Sequence, residues 1–211
     1  MRRLGALAVV CACLWSRALP MTAQEQNWVV TPSGSEVRIH VDKSGVFSFA
    51  GHTHEVIAPA LAGTIRFDQQ RVEQAAIELT FDASALTVSA TGEPPEDVPK
   101  VQETMLSDKV LDVAKYPTIV FRSRQIVVET RTGGQMRLRV AGALTLHGVT
   151  RPIEGPANVN LAGDQLTGAG TLVINQTSFN IKPVSAGLGS VKVKDEVTVG
   201  YTFAAHREKP R

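Results

Sequence analysis

The chain has 211 residues and a formal charge of only +2. That length suits one domain with a sizeable core, and so balanced a charge gives no global support for a nucleic-acid partner. Both cysteines, Cys11 and Cys13, lie near the N-terminus, so a disulfide framework is excluded as the source of stability for the rest.

Arg2 and Arg3 precede an apolar run from Leu4 to Trp15, and a polar stretch with small residues follows. This is the order of a secretory signal peptide, with the expected cut after Ala23 in Met21-Thr22-Ala23. The apolar run falls short of the roughly 20 residues a spanning helix needs, and no later segment reaches it. An uncleaved anchor and lipoprotein processing at Cys13, behind the poor lipobox Val10-Cys11-Ala12, are the weaker matches. Cleavage would remove Arg2, Arg3 and Arg17 with no acid, turning +2 into −1. The expected organisation is a signal peptide over 1–23 and one domain over 24–211, periplasmic or secreted, with no membrane span.

Period-two alternation then recurs almost throughout, the mark of strands with one buried and one wet face. Val37, Ile39 and Val41 alternate with Glu36, Arg38 and His40. Leu61–Phe67 and Ala75–Phe81 repeat the pattern. Thr118–Glu129 and Gln135–Leu146, separated by Thr132-Gly133-Gly134, predict a hairpin. Glu154–Leu161, Gln165–Ile174 and Glu196–Ala204 complete the set. Eight or more short-connected strands favour a closed antiparallel barrel, with an aligned sandwich as the competing architecture. One segment departs from this. Apolar spacing over Val98–Val113 predicts one or two short helices at one end, with Asp97 as cap and Pro99 in the first turn. Tyr116-Pro117 should end the helical segment and hand over to a strand. It either plugs the barrel or simply covers core.

Gly51-His52-Thr53-His54 is the most chemically suggestive short motif. In extended chain its two imidazoles share a face, a half-site for zinc, copper or iron. His147, His40 and Glu55 are further ligands only if the fold gathers them, and a polar loop is the plainer explanation. His147 invites a role as general base, but with Gly148, Val149 and Thr150 it reads better as a strand-end turn residue bonding backbone. Gly-x-Ser-x-Gly, His-Glu-x-x-His and the P-loop pattern are absent, so no catalytic residue is assigned. Arg151, Lys182, Lys192 and Lys194 form either a basic rim or an ordinary solvated strand face.

Two longer stretches carry a family resemblance: Asp112-Val113-Ala114-Lys115-Tyr116-Pro117-Thr118-Ile119-Val120-Phe121 and Leu144-Thr145-Leu146-His147-Gly148-Val149-Thr150-Arg151-Pro152. Gly63–Asp68, Asp82–Leu86 and Ile174–Ile181 add to it. From about Trp28 to about Ala204 the chain resembles the YceI-like family. It departs from the family at Val101–Leu106, where many members carry Arg-Asp-x-His-Leu, and at Gln176 and Asn180, where arginine and glycine are usual. The resemblance implies an all-β, lipocalin-like closed barrel holding an isoprenoid or other long-chain lipid, without chemistry of its own, for storage or transport. The expected ligand-binding residues are Phe47, Phe49, Phe67, Leu79, Phe81, Met105, Leu106, Phe121, Met136, Val140, Leu144 and Phe179. A chain of about 20 carbons buried there would gain on the order of 15 kcal/mol before the costs of association. No cofactor is expected beyond that lipid, and a homodimer is compatible with such a barrel. The alternative is a metal- or haem-associated protein using His52 and His54.

Overall fold

The computed structural model describes residues 26–44, 53–58, 62–91, 94–186 and 191–208. The expected signal peptide, Phe47, Phe49 and His52 lie outside these residues. The strands described are β1 (Gln26–Ser44), β2 (His54–Ala58), β3 (Ala62–Phe67), β4 (Ala76–Asp82), β5 (Thr87–Val88), β6 (Thr118–Thr132), β7 (Gln135–Leu146), β8 (Val149–Ala162), β9 (Gln165–Asn175), β10 (Ser185–Ala186) and β11 (Val191–Arg207). Among the described residues one α-helix, α1 (Val98–Leu106), and three single 3-10 turns interrupt them.

Eight strands close a ring in the order β1, β3, β4, β6, β7, β8, β9, β11, and β11 returns to β1. The pairings are antiparallel, and the barrel, not the sandwich, is the architecture. β1 makes closure possible because it is long enough to serve two neighbours on one edge. Gln26–Val29 pair with β3, while Val37–Val41 pair with β2. Its other edge runs along β11, with a register shift between Thr31 and Glu36. The shift falls at Ser33-Gly34-Ser35, where a bulge bends the strand, and the buried Ser35 hydroxyl accepts the Ala204 N–H at 3.0 Å. β2 and β5 extend the sheet beside the second half of β1.

The predicted hairpin is present, with β6 and β7 paired out to Thr132↔Gln135. β8 starts at Val149, earlier than alternation suggested, because pairing with β7 continues straight out of the turn. That turn is His147-Gly148, with φ of +50° and +72°, the left-handed pair a two-residue hairpin demands. A side chain at Gly148 would also run into the Tyr116 ring. Gly148→Ala is therefore expected to cost about 1–3 kcal/mol in equilibrium urea unfolding. A loss of only a few tenths would contradict the packing of Tyr116 on this turn.

α1 ends at Leu106, and the predicted helical pattern to Val113 resolves into turns. The Leu111 N–H reaches back to the Met105 carbonyl at 3.0 Å, and Asp112 takes φ +46°, which a helix cannot continue through. Asp97 makes no side-chain cap and pairs with Lys100 instead, at 3.0 Å. α1 has a further job. Gln102 accepts the Val88 N–H at 2.7 Å and donates to the Leu86 carbonyl at 2.9 Å, acting as a stand-in strand along the free edge of β5.

Two apolar clusters fill the interior. One, around Trp28, Val30, Ile65, Phe67, Met136 and Leu166, packs the end where β1 meets β3. The other, around Val37, Val56, Leu86, Met105, Phe179 and Ile181, lies at the end covered by α1.

Candidate functional site

Between these two clusters lies an internal cavity of about 300 Å³. Alternation on the ring strands supplies its wall. β1 contributes Val37, Ile39 and Val41; β4, Leu79 and Phe81; β6, Ile119 and Phe121; β7, Val140 and Leu144. Ile153 of β8, Leu172 and Ile174 of β9, and Val197, Val199 and Tyr201 of β11 close the circle. Trp28 stacks on Phe67, ring centroids 5.4 Å apart, as part of the packed floor below. Met105, Leu86, Leu111 and Ile181 roof it.

Among the described residues the lining includes no Lys, Arg, His, Asp or Glu. Of the described residues only Gln176 and Tyr201 bring polar side-chain atoms to it, and both are committed to backbone. Gln176 Nε2 donates to the Lys194 carbonyl at 2.7 Å, and the Tyr201 hydroxyl to the Pro156 carbonyl, also at 2.7 Å. Burial pushes the Tyr201 phenol up from 10.0 to about 12. Because the folded value is raised, the stability tied to this neutral phenol is intact below pH 10 and is lost as pH rises toward about 12. In an ultraviolet titration of this chain with 2 tyrosines, a phenol ionising near 12 should be present and should vanish in Tyr201→Phe. Persistence of that late step in the variant would contradict the burial.

Six of the expected ligand-binding residues line the cavity: Leu79, Phe81, Met105, Phe121, Val140 and Leu144. Four do not. Phe67 and Met136 are at the floor, packed with Trp28. Phe179 is 1% exposed and packs in the upper cluster, and Leu106 packs beside it. Alternation tells which face a residue takes but not its height along the barrel. The contributions of β1, β9 and β11 were missed for a different reason. Their alternation was plain, but nothing local ranks one inward valine above another.

His147 bonds backbone, its Nδ1 lying 3.2 Å from the Phe179 carbonyl, and its ring meets Tyr116 edge-on at 4.7 Å. Those of the suggested metal ligands that are described do not converge. His40 and Glu55 pair with each other in register, whereas His54 pairs with Val41, one residue along and so on the opposite face. Among the described residues no three His, Cys, Asp or Glu side chains are placed to hold a metal. Two of the four basic side chains considered for a rim are held by local partners. Lys194 pairs with Asp42 at 2.6 Å, and Arg151 Nε donates to the Ser178 carbonyl at 2.9 Å. A larger depression, about 670 Å³, edged by Thr130, Gln135, Arg137, Asn158 and Asn160 and reaching Met136, Val159 and Phe203, is mixed in polarity and open to solvent.

The YceI-like domain matches this chain over residues 28–205, nearly the whole barrel from within β1 to within β11. The chain belongs to the YceI-like family. A UPF0312 protein of Vibrio parahaemolyticus is 25% identical over 171 residues, covering 78% of this chain and 82% of the relative. One from Pseudomonas savastanoi is 32% identical over 126 residues, 57% of this chain and 59% of its own. Among solved structures, BcnA of Burkholderia cenocepacia superposes with a TM-score of 0.63 at 21% identity, covering 83% of this chain and 98% of BcnA. A polyisoprenoid binding domain from Saccharophagus degradans gives 0.61 at 16% identity, covering 86% and 98%. At such identities the family's barrel is what these structures share with this chain.

Proposed function

We propose that the cavity holds the chain of one uncharged long-chain lipid of isoprenoid type, and that the protein is an exported carrier with no chemistry of its own. The observation that carries this reading is an apolar wall whose only polar side chains, among the described residues, are already bonded to backbone. A buried carboxylate or ammonium would find no opposite charge there and would lose several kcal/mol of solvation. The Saccharophagus degradans neighbour, described as a polyisoprenoid binding domain, supports the ligand class.

Size refines the proposal. If each carbon takes about the 30 Å³ of a liquid water, 300 Å³ holds roughly ten carbons. Ten methylenes gain about 8 kcal/mol, and association removes about 4 or more, so a ligand that short binds weakly. A chain of about 20 carbons gains more only if its remainder continues beyond the cavity against protein. Affinity should therefore rise by more than about tenfold from geraniol to geranylgeraniol, measured by displacement of the neutral dye N-phenylnaphthylamine. Organic extraction of the protein purified from its export compartment, followed by mass spectrometry, should release a prenyl or acyl chain. Lipid-free protein that also takes up neither alcohol would overturn the carrier reading.

A further inference from the structure

β8 and β9 are neighbours in the ring, yet their ladder runs from Ala162↔Gln165 to Asn158↔Ala169 and stops there. β8 continues back to Val149 and β9 on to Asn175, both extended but unpaired with each other. On its other side β8 pairs with β7 without a register shift, from Leu146↔Val149 to Gln135↔Asn160. The break belongs to one edge of β8. Pro152 and Pro156 stand an even number of residues apart, so their nitrogens face the same neighbour. The Pro156 carbonyl lies against Gly170, which identifies that neighbour as β9. Two donors are missing from this edge, and a ladder cannot form across it. Inside a closed barrel, β8 is locally an edge strand.

Something else holds the strands together. A Cβ at Gly155 would lie 3.0 Å from the Cβ of Leu172, so the backbones stay close. Tyr201 reaches from β11 across β9, over Gly170, and its hydroxyl donates to the Pro156 carbonyl at 2.7 Å. Two side-chain hydrogen bonds, Tyr201 to the Pro156 carbonyl and Arg151 to the Ser178 carbonyl just beyond β9, and apolar contact thus replace a ladder. Gly155, Leu172, Ile153, Ile174 and Tyr201 also line the cavity, so this seam gives directly onto it.

We infer that the β8–β9 seam is the lateral mouth through which the lipid chain enters and leaves, with the Tyr201 phenol closing it. The inference rests on the lipid-carrier reading. Strands that part along an intact ladder lose their hydrogen bonds in series, and local opening follows the least-bonded segment. Here parting costs two side-chain bonds, of which only Tyr201–Pro156 faces the cavity. A hydroxyl or carbonyl at the ligand's end, left at the seam, exchanges that bond for one of its own with Tyr201 or Pro156. This also places the part of a long chain that the cavity does not hold.

The test is a removable cross-link. Glu154 and Val173, both exposed, fall opposite each other when the Asn158↔Ala169 register is continued. Glu154→Cys/Val173→Cys, in a Cys11→Ser/Cys13→Ser background, should load geranylgeraniol at least about tenfold more slowly when oxidised than when reduced, with equilibrium affinity within about threefold. Displacement of N-phenylnaphthylamine in stopped flow reads the rate. Thr145→Cys/Thr150→Cys, across a paired β7–β8 position, should leave it unchanged. Tyr201→Phe should load several-fold faster. Equal rates for the oxidised and reduced seam variant, or equal slowing by the β7–β8 control, overturn the mouth. If the seam disulfide does not form, unaltered loading in Tyr201→Phe overturns it. A reduced protein that binds no geranylgeraniol at all overturns the carrier reading beneath it.

Discussion

Val140→Phe/Val199→Phe is expected to weaken geranylgeraniol binding by about 100-fold while the protein stays folded. The two valines lie on β7 and β11, and both line the cavity and are only half-buried. Larger side chains there grow into free space, so the usual strain of overpacking a dense core is small. The two added rings take the room of about four ligand carbons, worth about 3 kcal/mol of apolar burial. Displacement titration reads the affinity, and thermal melting checks the fold. Unchanged affinity in a folded double variant would mean that the ligand is held elsewhere.

Trp28→Ala should do the reverse. Trp28 is 0% exposed, stacks on Phe67, and has the Arg207 guanidinium 5.3 Å from its ring centroid. Its loss leaves a cavity in the packed floor and costs about 3–5 kcal/mol. For a domain of this size that is a drop in Tm of roughly 10 °C. Trp28 does not line the cavity, so affinity per folded molecule should stay within about threefold. A large loss of affinity with little loss of stability would mean that floor and cavity have been assigned the wrong way round.

Particular residues show what was legible in the chain. Thr132-Gly133-Gly134 and His147-Gly148 announced their turns because left-handed backbone restricts residue choice locally. The inward faces of β1, β4, β6 and β7 were readable because period two needs no knowledge of partners. What failed was anything that depends on height or on a neighbour. Phe67 and Leu79 are both inward, but one lies in the floor and the other lines the cavity. Pro152 and Pro156 are plain in the sequence, yet their meaning waits on knowing that their edge faces β9 and not β7. The Tyr201–Pro156 bond spans 45 residues of chain, and no local pattern foretells it. For the histidines, period two already put His54 and Glu55 on opposite faces, so Glu55 as a further ligand was answerable from the sequence, whereas the His52/His54 pair was not.

The most direct test of the account is an isotope-filtered nuclear Overhauser experiment on methyl-labelled protein with one equivalent of geranylgeraniol. The account predicts contacts from the prenyl chain to the methyls of Ile39, Leu79, Val140 and Val199, with none to the floor residue Val30. Contacts confined to methyls on the outer face, such as the exposed Val127, or no contacts at all, would contradict it.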